Sequence, residues 1–110
     1  MTILDFHRHL LMVINIQKYL SSTCNISLDI LKGKRTIKCS NEYKIYNLSI
    51  ILCWLLHPTK VYGCKSLIAR HHQCSKNRVY RLNKFYFKNN NFKSFVDKYL
   101  KDYKTNYEKN

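Results

Sequence analysis

The chain falls into blocks of apolar positions separated by short polar breaks. The first block carries Ile3, Leu4, Phe6, Leu10, Leu11, Val13, Ile14, Ile16, Tyr19 and Leu20, interleaved with Asp5, His7, Arg8, His9, Asn15, Gln17 and Lys18. That pattern predicts a helix buried over a broad face. Its most apolar stretch, Leu10 to Ile14, is too short for a signal core, and no A-x-A site follows. Ser21 to Asn25 compete for backbone hydrogen bonds and end the helix. Ser27 can cap a short helical turn through Leu31, leaving Ile26, Leu28, Ile30 and Leu31 for packing. Lys32-Gly33-Lys34-Arg35-Thr36-Ile37-Lys38 reads as an exposed loop, because Gly33 stands among cations and nothing apolar follows until Ile37.

A third helix is predicted from Ser40, as cap, with Glu42 in the first turn where the dipole favours an anion. It continues through Tyr43, Ile45, Tyr46 and the run Leu48 to Leu56, and Pro58 marks its end. The run is apolar nearly all round but too short to span a bilayer, so it reads as the central core helix. Val61, Tyr62 and Gly63 form the connection to the next block. Further on, Asn89-Asn90-Asn91 reads as a break. Phe92, Phe95, Val96, Tyr99, Leu100 and Tyr103 then mark an amphipathic helix laid back across the core. Lys104 to Asn110 are expected to fray. There is no strand-like alternation and no internal repeat. The expected fold is all-α, a small bundle of about six helices in one domain, with its core from residue 3 to 103 or so.

Between these blocks lies KSLIARHHQCSKNRVYRLNKF, Lys65 to Phe85, which reads as a helix-turn-helix. With Ala69 as the fifth motif position, Ile68 takes the fourth, Cys74 the tenth, Val79 the fifteenth and Leu82 the eighteenth. Two helices crossing at a wide angle bury small or apolar groups at those positions, and Ala69 permits close approach. Ser75 can cap the second helix through a backbone N–H near Asn77 or Arg78. The ninth position, where a φ > 0 favours Gly, holds Gln73. The outward side of the second helix shows Lys76, Asn77, Tyr80, Arg81 and Lys84, side-chain types that bond to phosphate and to base edges.

Charge sharpens this picture. The 110 residues carry 20 Lys and Arg against 6 acids, a formal charge of +14. Between Lys32 and Lys88 the single acid is Glu42, while the segments on either side are nearly balanced. A basic middle between near-neutral ends points to a polyanionic partner. The five Cys are odd in number and form no CxxC pair, so they read as reduced cytosolic thiols, with Cys53 in the core. Cys64, His71, His72 and Cys74 stand close together, but His72 and Cys74 are separated by one residue and the paired spacing of zinc modules is missing. No metal or cofactor is therefore expected. Cys74 reads as part of the motif core, and His71 and His72 as partly exposed helix-end residues. The acids are scattered and no Cys–His pair has an orienting partner, so no enzyme is expected.

The order of parts from about Ile14 to Lys101 resembles the C-terminal DNA-binding domain of the bacterial replication initiator DnaA. The parts are a helix ending in INIQKYL, a short NISLDIL turn, the basic loop KGKRTIK, a long apolar helix, SLIARHHQCSKNRV and a closing helix. The resemblance implies an all-helical fold related to the Trp repressor. It also implies a minor-groove role for Lys34 or Arg35 in the basic loop, and a major-groove role for the second motif helix. Ser75, Lys76, Asn77 and Arg78 stand where the family has Asp-His-Thr-Thr, and no GxxxxGK[ST] loop is present.

The reading is a protein that binds double-stranded DNA as a transcriptional regulator or accessory replication factor. It is expected to be cytoplasmic and nucleoid-associated, with no membrane or small-molecule partner. The expected contacts are Lys34, Arg35, Lys38, Ser75, Lys76, Asn77, Arg78, Tyr80, Arg81 and Lys84. The rivals are a non-specific module for RNA or single-stranded DNA, and a protein-interaction module for an acidic partner.

Overall fold

The computed structural model describes residues 3–34, 40–57 and 64–106. Among these the chain is all-helical and contains no strand: α1 (Ile3–Thr23), α2 (Leu28–Leu31), α3 (Ser40–Leu55), α4 (Cys64–His72), α5 (Lys76–Lys88) and α6 (Asn90–Asn106). No helix among them is long and apolar enough to cross a membrane.

The apolar run predicted as the central helix takes that place. α3 packs against α1, α2, α4, α5 and α6. Every residue of α3 from Leu48 to Trp54 is buried, together with Ile45 and Tyr46. A helix apolar on all sides is stable only when neighbours cover all of it. Each fully buried Leu or Ile contributes about 1.5–3 kcal/mol. From α1 the core takes Val13, Ile16, Tyr19 and Leu20, and from α6 Val96 and Tyr103. α6 is further tied down by its own acids. Tyr19 donates to Asp102 at 2.6 Å, and Tyr86 of α5 donates to Asp97, which also pairs with Lys93.

Several boundaries differ from the expected ones. Ser21 to Thr23 remain helical, and α1 stops where Asn25 turns left-handed at φ 52°. The Ser21 hydroxyl donates to Ile26 O across that stop. Ser27 caps α2 as expected, accepting from Asp29 N. Ser40 is helical, the first described residue of α3, and does not cap it; Pro58, Val61, Tyr62 and Gly63 lie outside the described residues. The break among the asparagines is one residue long. Asn89 ends α5, and its side chain accepts from Phe92 N, so Asn90 and Asn91 already belong to α6. Lys104 to Asn106 are helical, with Asn106 donating to Asp102 one turn back.

Candidate functional site

The α4–α5 pair is joined by Gln73, Cys74 and Ser75. Gln73 adopts φ 51°, the left-handed conformation that the position requires, without being glycine. Gln73 N donates to Arg70 O and Cys74 N to Ala69 O, the two bonds of a Schellman motif. The Gln73 side chain adds a reason for its presence, because its Nε2 donates to Lys32 O at 2.9 Å. Ser75 then caps α5 by accepting from Arg78 N.

The last carbonyls of α4 have no helical partner, and the rest of the fold supplies them. Besides the two Schellman bonds, Gln17 of α1 donates to His71 O at 3.0 Å, and the Tyr46 hydroxyl donates to His72 O. His72 itself is fully buried, contrary to its expected exposure. Its Nδ1 lies 2.8 Å from Ile68 O and its Nε2 2.7 Å from Ser49 Oγ. A carbonyl can only accept, so Nδ1 carries the proton and Nε2 accepts from the serine. Burial drives the His72 pKa down to about 4, against a smaller opposing effect of the Ile68 carbonyl.

Gly33 is the other unexpected anchor. At φ 72° it closes a second Schellman motif, with Gly33 N donating to Ile30 O and Lys34 N to Asp29 O. A β-carbon at Gly33 would lie 2.4 Å from His72 O and 3.0 Å from Gln73 Cβ. The start of the basic loop is therefore docked against the α4–α5 turn, rather than standing free in solvent. Lys34 follows immediately and is exposed.

The buried side of the pair contains Ile68, Ala69 and Val79, with Cys74 and Leu82 half-buried. Lys76, Asn77, Tyr80, Arg81 and Lys84 are all exposed on α5, as their spacing predicts. Arg78 departs from the expected set. It is half-buried and donates to Tyr43 Oη at 2.7 Å and to Asn47 Oδ1 at 3.1 Å, which ties α5 to α3. Its bond to Tyr43 raises the guanidinium pKa further and lowers that of the phenol. Arg35 and Lys38 lie outside the described residues.

The tertiary structure adds Lys65 to this surface. Its Nζ stands 4.6 Å from the centre of the Tyr80 ring, and Lys84 Nζ is also 4.6 Å from it. Tyr80 thus holds two cations, one from each helix of the pair. Sequence spacing alone could not bring Lys65 to Tyr80, because their meeting depends on how α4 and α5 cross. From Cys64 to Lys88 the pair contains no Asp or Glu.

Comparisons with protein-family models, with curated proteins and with solved structures find no match to this chain.

A second cluster lies at the other end of α4. His9 of α1, His57 just after α3, and Cys64, the first residue of α4, are all buried, with their ligand atoms within 4.8 Å of one another. Cys64 Sγ lies 2.8 Å from His57 Nε2, and the His9 and His57 ring centres are 3.7 Å apart. The four residues weighed as a cluster from the sequence are not assembled. Cys64 joins His9 and His57, and His72 is committed to Ser49 and Ile68. Among the described residues no disulfide joins Cys24, Cys53, Cys64 or Cys74, and burial alone raises the pKa of Cys53 far above its usual value.

Proposed function

We propose that this protein binds double-stranded DNA, with α4–α5 as a helix-turn-helix and α5 as the reading helix. The observation that carries the reading is the exposed row Lys76, Asn77, Tyr80, Arg81 and Lys84 on a helix pair without a single acid. A continuous cationic face favours a polyanion, and Asn with Lys or Arg at the start of such a helix can bond base edges. The docking of Gly33 beside the turn supports a second contact through Lys34, with Arg35 and Lys38 following in sequence. Similarity to the DnaA C-terminal domain belongs to the same proposal. A protein of this kind acts in the cytoplasm, on nucleoid DNA, as a transcriptional regulator or accessory replication factor.

The test is selection of binding sites from random duplexes, followed by competition among the selected duplex, unrelated duplex, single strands and structured RNA. An enriched motif that outcompetes the others supports the reading. Equal competition by all of them rejects it. One observation favours a second reading: Tyr80 is an exposed ring between two lysines, an arrangement suited to stacking on unpaired bases. Preference for single strands in the same competition selects that reading.

A further inference from the structure

We propose that His9, His57 and Cys64 form a binding site for a zinc-like divalent cation, which fastens the start of α4 to α1. The residue types are right for zinc, since two imidazoles and a thiolate are common among its ligands. The three residues come from three places in the chain, and all are buried in the fold. His9 supplies the independent sign. It is 2% exposed, and neither ring nitrogen has a hydrogen-bond partner. A buried imidazole normally satisfies at least one nitrogen, so both are available to a ligand. A cation bound to one of them accounts for a polar ring placed in this position.

The sulfur–imidazole pair requires only a small adjustment, while the cluster as a whole, whose ligand atoms lie within 4.8 Å of one another, would close by up to about 1.5 Å. Zn–N near 2.0 Å and Zn–S near 2.3 Å imply ligand–ligand edges of about 3.5 Å in a tetrahedron. The sulfur and the His57 nitrogen stand at 2.8 Å, so binding would spread them by less than about 1 Å. On binding, the Cys64 thiol loses its proton to solvent, and both histidines coordinate as neutral rings. The inference does not rest on DNA binding, because none of the three ligands is among the proposed DNA contacts, although Cys64 opens α4.

The full chain, stripped with a chelator, is titrated with Co2+ alone as the probe. One equivalent should bind, giving a sulfur-to-cobalt charge-transfer band and the strong visible absorption of tetrahedral cobalt. Zn2+ should abolish both signals and raise the thermal midpoint. Cys64→Ser should remove the charge-transfer band. His9→Gln should weaken binding by more than about 100-fold, beyond the loss seen when only an outer-shell partner is removed. Cys74→Ser and His71→Gln should leave the titration unchanged. Should His9→Gln fail to fold, the contrast between Cys64→Ser and Cys74→Ser decides. Absence of cobalt binding by the parent chain overturns the proposal, and so does a charge-transfer band that survives Cys64→Ser.

Discussion

Gly33 and His72 show how single positions control the α4–α5 turn. Any side chain at Gly33 meets the His72 carbonyl, a backbone atom that cannot swing aside. The positive φ adds its own penalty. Gly33→Ala should therefore cost about 2 kcal/mol or more, as read by urea unfolding. A free surface loop would lose less than about 0.5 kcal/mol. His72 makes stability depend on pH. An unfolded histidine titrates near 6.5, while this one is held to about 4 by burial. Between those values the unfolded chain carries the additional proton, so stability falls as pH falls. His72 accounts for about 3 kcal/mol of loss between pH 7 and pH 4. His72→Gln should show a correspondingly flatter profile when unfolding is followed across that range.

At the scale of the element, α5 has an inward side that holds it and an outward side free to act. Val79 is fully buried, so Val79→Asp should unfold the domain, with loss of helical circular dichroism. The outward side allows a sharper test of the DNA proposal. The N-terminal part of a reading helix lies deepest in the groove. Lys76→Ala and Asn77→Ala should each cost about 1–3 kcal/mol on the preferred site and blur one position of the selected sequence. Lys84→Ala, farther along, should weaken all sequences alike. Unchanged selection profiles for both Lys76→Ala and Asn77→Ala would remove α5 as the reader. Arg78→Ala should act mainly on stability, because the guanidinium already serves Tyr43 and Asn47.

At the scale of the molecule, charge governs the response to salt. If about six phosphates are neutralised, log K for duplex DNA should fall against log salt with a slope of roughly −5. A slope near zero in an anisotropy titration would remove electrostatics as the source of affinity. The cations that would produce this slope are spread over α4, α5 and the segment after α2, the last of which is distant in sequence from the other two. The fold brings them together by resting α4 and α5 on α3 and docking Gly33 against the turn between them.

The helices, the central place of α3 and the exposed row on α5 follow from the amino-acid pattern alone. These depend on apolar spacing and local capping, which neighbouring residues establish without knowledge of the fold. Even the positive φ at Gln73 was legible as a requirement of its motif position, although the Gln73 bond to Lys32 O was not. Which polar residues turn inward depends instead on packing between helices. His72 lies on the same helix end as the half-buried His71, and its burial follows from Ser49 and Tyr46 arriving on α3. Arg78 lies among residues that face solvent, yet Tyr43 and Asn47 draw it inward. Cys64 acquired His9 and His57 as neighbours rather than His71, His72 and Cys74. In each case the deciding contact joins residues far apart in sequence, so periodicity along the chain could not reveal it.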